Sequence, residues 1–205
     1  PTMSVRFEER HDYTGGAAAV AKHIRTAGGE VRFSTVMGND SLKDRVLEDL
    51  AATGVICRPI IDATRPTTNK NAIVVDGYRL IKIDTLDNHS ISERILHELA
   101  GEVAESRTEA VVCADFRHGI FNRETIPPLV AAIPSDTFRV ADSQVASRWG
   151  NILDFKGFDL ITPNEREARF ALGDQDSVVR PLGGELYRRA ECKTLMLKLG
   201  NRGMI

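Results

Sequence analysis

From residue 90 onward the chain alternates helix-like and strand-like runs, and each strand-like run reaches a polar or glycine-containing pair. "EAVVC" leads into Ala114-Asp115, "TFRVA" into Ala141-Asp142, "FDLI" into Pro163-Asn164 and "TLMLKL" into Gly200-Asn201. Between these runs, Ile91, Ile95, Leu99 and Val103 make one helical stripe, and Thr125 opens a helix with Pro127 and Pro128 in its first turn. "SRWGNILDF" predicts a short helix, and further helices are expected over 164–172 and 177–191. Such alternation predicts an α/β fold with a mostly parallel central sheet flanked by helices. In an open parallel sheet the carboxyl ends of the strands are where ligands collect. The four ends would put two carboxylates, an amide and a bare glycine backbone on one rim. Asp, Asn and Gly are also common turn formers, so any single end has a purely structural explanation.

The first half carries a different constraint. Residues 14–40, "TGGAAAVAKHIRTAGGEVRFSTVMGND", hold two Gly-Gly pairs, an alanine-rich stretch and a closing Gly-x-Asp. Ala17, Val20, Ala21 and Ile24 fall at helical spacing, "EVRFSTV" alternates as a strand, and "SLKDRVLEDLAATG" predicts a helix capped by Ser41 and stopped by Gly54. Backbone this free of side chains either permits tight helix–sheet packing or leaves room for a ligand against it. "VICRPIID", "TTNKNAIVVD" and "YRLIKID" are β-like, the last two joined by the hairpin pair Asp76-Gly77. Together with "MSVRFEE" they predict a small separate sheet at approximately 2–9 and 55–85, beside an α/β core at 14–54 and 86–205.

Twenty-seven basic and 29 acidic side chains leave a formal charge of -2. Without a basic field, neither nucleic acid nor an anionic membrane is an expected partner. No stretch matches a signal peptide or a spanning helix of about twenty apolar residues. Cys57, Cys113 and Cys192 are scattered, which favours buried thiols in a reducing compartment, by default the cytoplasm. His11, His23, His89, His97 and His118 show no metal-ligand spacing, and only His118 stands next to the rim. Trp149 is read as a packing residue.

Gly15, Gly16, Ala17, Ala18, Ala19, Val20, Ala21, Gly28 and Gly38 follow the spacing of the first signature of the PfkB/ribokinase family of carbohydrate kinases, which the chain resembles. Asp40 fits that family's common Gly-x-Asp ending, whereas Ala19 stands where an asparagine usually contacts the sugar. "NERE" supplies Asn164 and Glu167 of the family's Asn-x-x-Glu motif, and "LKLGNRGM" is similar to its nucleotide-side strand and turn. Arg65, Pro66, Thr67, Lys70, Asp115, Phe116, His118 and Gly119 come nearest the heptose-7-phosphate kinase branch, with His118 replacing a lysine.

The resemblance implies a ribokinase-like domain over 1–205 in which the small β-sheet acts as a lid, and ATP-dependent phosphorylation of a sugar or sugar phosphate with Mg²⁺. Gly15, Gly16, Lys70 and Asp115 are then the expected substrate residues. Asn164, Glu167, Lys198, Gly200 and Gly203 are expected on the nucleotide side, Asn164 and Glu167 meeting the metal through water. Each has a plainer reading. Asn164 and Glu167 have capping-box spacing, Lys70 suits a solvated strand, Asp115 suits a turn cap, and Lys198 suits a snorkelling side chain. A homodimer formed lid to lid, as in relatives, is also implied. The catalytic aspartate is not assigned to any residue present. It belongs to an Asp-Thr-x-Gly-Ala-Gly-Asp stretch expected beyond Ile205, for which "LGDQD" at 172–176 is no substitute, so these residues alone are expected to be inactive. The alternatives are a non-catalytic sugar- or nucleotide-binding module derived from a kinase, and a Rossmann-type dinucleotide enzyme. The second is disfavoured because "TGGAAAVA" is not Gly-x-Gly-x-x-Gly.

Overall fold

The computed structural model describes residues 4–145 and 151–205. In chain order its elements are α1 (Gly16–Thr26), β1 (Arg32–Met37), α2 (Ser41–Ala52), β2 (Ile56–Ile61), β3 (Asn69–Val75), β4 (Tyr78–Thr85), α3 (Glu93–Glu105), β5 (Ala110–Asp115), α4 (Ile126–Ala131), β6 (Phe138–Ser143), β7 (Leu160–Ile161), α5 (Glu165–Leu172), α6 (Val179–Ala190) and β8 (Thr194–Leu195). The pairs β1–β2, β5–β6, β6–β7 and β7–β8 are all parallel, and the hairpin β3–β4 is antiparallel. The mostly parallel α/β architecture expected from the alternation is therefore present. It stands in two pieces, a β1–β2 pair and a four-stranded sheet in the order β5-β6-β7-β8.

The main core lies on the four-stranded sheet, where Ala141 and Ile161 meet Leu182, Leu186 and Ala190 of α6. Phe155 is fully buried and packs edge-on against Phe121 and Phe158, with ring centroids 5.7 and 5.5 Å apart. Each such side chain removed from water contributes about 1.5–3 kcal/mol. A second cluster joins Ile60 of β2 to Ile95 and Leu99 of α3 and Leu129 of α4. A third packs Ala18 and Ala21 of α1 against Leu50 of α2 and Val55. Among the described residues no helix is long and apolar enough to cross a membrane.

Four local readings need correction. The N-cap of α2 is Asp40, whose side chain accepts from the Lys43 amide, and Ser41 is the first helical residue. Residues 4–15 form neither helix nor strand. Among the described residues the alternating "SVRFEE" has no partner strand, and Val5 and Phe7 are exposed to water. Residues 56–61 pair with β1 and not with the hairpin, and Ile60 is buried against α3 and α4. The "SRWGNILDF" helix falls partly on residues 146–150, outside the described residues together with Trp149. Its remainder forms a single 3₁₀ turn, Ile152–Asp154, capped by Asn151.

The hairpin turns through Asp76 and Gly77, both at positive φ (50° and 76°), as a two-residue loop of this hand requires. It has almost no core of its own: nearly every residue of β3 and β4 is exposed. Register pairs Lys70 with Asp84 and Ala72 with Lys82, so these share one face, while Ile73, Ile81 and Ile83 share the other. The hairpin is fixed at its outgoing root. A Cβ on Gly38 would stand 2.5 Å from the Arg65 carbonyl oxygen and 2.6 Å from the Thr67 nitrogen, so residues 65–67 cross directly over bare backbone.

Gly38→Ala is accordingly expected to destabilise the chain by about 1–3 kcal/mol through overpacking. Gly101→Ala, in the exposed middle of α3 where a Cβ meets nothing within 4 Å, is expected to stabilise it by roughly 0.5–1 kcal/mol. Urea denaturation of both variants checks the contrast.

Candidate active site

A cleft of about 2140 Å³ opens between the start of α1, the inner side of the hairpin and the turn after β5. Gly15, Gly16, Lys70, Asp115 and His118 all border it. A Cβ built on Gly15 would meet nothing within 4 Å, and one on Gly16 would only touch the Phe116 ring at 3.9 Å. Tight packing therefore does not account for the pair. Gly16 sits at φ 60°, which favours glycine, and no side chain caps α1, so its first amides keep their donor capacity. Ala17, Ala18 and Lys22 border the cleft, but Ala19 does not. The irregular segment 4–15 runs along one flank, pinned by Asp12, which pairs with Arg45 at 2.6 Å and Arg10 at 2.8 Å.

Asp115 reaches the cleft but is turned inward, only 1 % exposed. Its Oδ1 accepts from the Arg117 amide at 2.8 Å, while Oδ2 accepts from the Ser143 hydroxyl at 3.0 Å and pairs with Arg117 Nε at 2.8 Å. Burial pushes its carboxyl above the ordinary range, opposed by the Arg117 guanidinium and amide and by Ser143. The carboxylate thus holds the rim turn, including Arg117 at φ 60°, a conformation that a non-glycine residue keeps only when its surroundings enforce it. Next along the turn is His118, with Nδ1 2.9 Å from Asn88 Oδ1. Burial and the charge of Lys70 hold its imidazole below the usual range, with Asp84 opposing and Lys82 reinforcing. The charged face of the hairpin is therefore the one turned toward His118.

The second group gathers at the ends of β6, β7 and β8. Asn164 and Glu167 form a reciprocal capping box: Asn164 Oδ1 accepts from the Glu167 amide at 2.9 Å, and Glu167 Oε2 accepts from the Asn164 amide at 2.7 Å. Lys198 bridges to Asn164 through the backbone, and its Nζ lies 2.7 Å from Asp142 Oδ1, which also accepts from Thr162 at 2.8 Å. Gly200 opens the one-turn helix Gly200–Arg202 and Gly203 follows it, at φ 63° and 85°. A Cβ at either would meet nothing within 4 Å, so conformation and not packing calls for glycine. Glu167 is buried, and that burial raises its carboxyl above the ordinary range. The Asn164 amide opposes the shift, Asp142 adds to it, and Lys198 offsets part of it.

The structure therefore brings the nine expected residues into two neighbourhoods. Gly15, Gly16, Lys70 and Asp115 share the cleft, whereas Asn164, Glu167, Lys198, Gly200 and Gly203 surround the end of β8 and do not line it. Sequence reasoning missed Arg117, Asp142 as a partner of Lys198, Ser143, Thr162 and the position of Arg65. Arg117 and Arg65 also have near partners in Asp115 and Asp62, but the contacts that tie these five residues across the fold join positions 20 or more residues apart, so spacing alone held no signal for them. Two carboxylates, an amide and a lysine at one strand edge suit a hydrated divalent cation that keeps most of its waters. Among the described residues no three His, Cys, Asp or Glu side chains converge as a direct ligand set.

The pattern of the pfkB family of carbohydrate kinases matches residues 2–205. A D-beta-D-heptose 7-phosphate kinase of Bordetella bronchiseptica is 28% identical over 180 residues, covering 84% of this chain and 54% of that protein. A bifunctional protein HldE of Vibrio vulnificus is 27% identical, covering 100% of this chain and 42% of that one. The chain thus spans about half the length of these curated relatives. Among solved structures, the tetrameric inhibited form of phosphofructokinase-2 from Escherichia coli superposes with a TM-score of 0.75 at 18% identity, over 100% of this chain and 69% of that one. This bears out the ribokinase-like fold class.

The raised Glu167 carboxyl sets a pH dependence. A carboxyl whose folded pKa lies above its unfolded value favours folding at low pH and works against it once ionised. Glu167→Gln keeps an acceptor for the Asn164 amide without the buried charge. Its melting temperature is expected to exceed that of the wild type at pH 8, with the gap closing as pH falls toward the ordinary glutamate range. Thermal melts between pH 4 and 8 check this.

Proposed function

The chain belongs to the pfkB family of carbohydrate kinases, and from that premise we propose that it carries the sugar-binding and part of the nucleotide-binding half of an ATP-dependent kinase for a phosphorylated sugar. The observation that carries the reading is the bare Gly15-Gly16 backbone at the uncapped start of α1, open to the cleft with Lys70 across from it. Free amides at a helix start donate to sugar hydroxyls or to an anion without a side chain in the way. Lys70 supplies a mobile positive charge for a phosphate, which suits the sugar phosphate named for the Bordetella relative. Asp115, with its lone pairs already engaged, serves by holding the rim turn.

On the nucleotide side, Asn164 and Glu167, with Asp142 and Lys198 beside them, would hold Mg²⁺ through water. Gly200 and Gly203 give a turn whose backbone can lie close to phosphates. The bound ion would neutralise charge on the transferring phosphoryl group. These residues orient and compensate charge. No Gly-Ala-Gly-Asp stretch occurs in the 205 residues, so we assign no base to any of them. The exposed apolar hairpin face of Ile73, Ile81 and Ile83 suits a homodimer formed lid to lid.

A binding module without turnover is the second reading, favoured by Ala19, which replaces the sugar-contacting asparagine and stands off the cleft. Calorimetry and a coupled ATPase assay separate the two. The 205 residues are expected to bind Mg-ATP and a heptose 7-phosphate with little or no turnover, and Glu167→Gln to weaken Mg-ATP binding by roughly tenfold. Brisk turnover by these residues would refute the unassigned base, and binding of neither ligand would refute the kinase reading. A gene product carrying the Gly-Ala-Gly-Asp stretch that binds both ligands and never turns over would establish the module.

A further inference from the structure

The β3–β4 hairpin leaves the core through residues 62–68 and returns through 86–91, and a single side chain reaches both roots. Arg65 Nε donates to Asp62 Oδ2 at 2.8 Å. Its Nη2 reaches the His89 and Ser90 carbonyls on the returning root at 3.3 and 3.4 Å, and its Nη1 reaches the His118 carbonyl on the rim turn at 3.4 Å. The side chain is only 8% exposed, so these partners and not water satisfy it. The backbone around it has no slack. The outgoing root crosses Gly38, the Gly38 amide donates to Thr67 Oγ1 at 3.1 Å, and the Thr67 amide donates to Asp40 Oδ2 at 2.8 Å. On the returning root the Ile91 amide donates to the Gly119 carbonyl at 3.0 Å, and a Cβ on Gly119 would collide with the His89 carbonyl.

We propose that Arg65 is a positioning residue: one guanidinium fixes both roots of the hairpin to the rim turn and so sets where Lys70 and His118 stand over the cleft. The proposal rests on the reading that this cleft takes a phosphorylated sugar. Lys70 lies on β3 five residues past the clasp, and His118 is the residue whose carbonyl the clasp grips. Moving Arg65 therefore moves both. A lysine cannot substitute, because one ammonium on a flexible stem does not span carbonyls on two segments while pairing with Asp62.

Hydrogen exchange on the ligand-free 205-residue chain tests this with Arg65→Lys and Arg65→Gln. Peptides covering 62–68, 87–91 and 117–120 are expected to exchange roughly tenfold faster or more in both variants, while α5, α6 and β5 to β7 keep wild-type protection. Unchanged exchange at the roots, full rescue by Arg65→Lys, or acceleration spread evenly into α5 and α6 would overturn it. In calorimetry, both variants are expected to bind a heptose 7-phosphate about tenfold more weakly with Mg-ATP affinity unchanged. Equal losses for both ligands would mark a merely structural role and overturn the proposal. Failure of the wild type to bind the sugar phosphate would count against the proposed function, and the ligand-free exchange still decides the role of Arg65.

Discussion

The passage of residues 65–67 across the naked backbone of Gly38 is the contact on which the arrangement of the cleft depends. Two main chains this close leave no room for a side chain, and the polar groups they bring along must find partners there. Asp40 supplies them. One carboxylate oxygen closes the first turn of α2 and the other takes the Thr67 amide, so the cap of a core helix and the root of the hairpin share a residue. Although burial pulls the other way, the Thr67 and Lys43 amides hold the Asp40 carboxyl below its ordinary range. A two-stranded hairpin is marginal by itself in water, and this one buries almost nothing. Its position over the cleft is inherited from its roots.

Burial raises two rim carboxyls, Asp115 and Glu167, but their surroundings differ. Asp115 has a guanidinium in direct contact and three donors in all, so its cost of burial is partly offset within the fold. Glu167 has one backbone donor and a carboxylate neighbour whose nearest cation, Lys198, is already paired with that neighbour. The residual negative character lies at Glu167 and Asp142, where a cation would relieve it. The cleft under the hairpin is the reverse case, with Lys70, Lys82 and His118 gathered against Asp84.

Much of this was legible in the sequence for a simple reason. Helix stripes, strand runs and the Asp76-Gly77 turn are local patterns, and their periods survive into the structure. The Asn164–Glu167 capping box was legible because both partners fall within one helical turn. The failures came through pairing. "SVRFEE" has the alternation of a strand, but alternation does not supply a neighbour to bond with. "ICRPII" looked like part of the hairpin sheet, but it pairs with β1 and buries Ile60 beneath α3. Ser41 looked like the cap because it is a good one, yet Asp40 stands one residue earlier and has a second task at Thr67. Arg65 and Arg117 were opaque, since an arginine in a loop carries no local sign of the carbonyls it will meet across the fold.

The two neighbourhoods share one short piece of backbone. At the end of β6, Asp142 and Ser143 are consecutive, and in a strand consecutive side chains point to opposite faces. Ser143 goes to Asp115 and Arg117, the turn that borders the cleft. Asp142 goes to Lys198 and Thr162, the cluster beside Asn164 and Glu167. Register holds them there, because Asp115 pairs with Ser143 and Ala114 with Asp142 across a six-residue parallel ladder. A shift of one residue in that ladder would send each side chain to the wrong face and undo both clusters together. The separation of the two clusters is thus set by strand register.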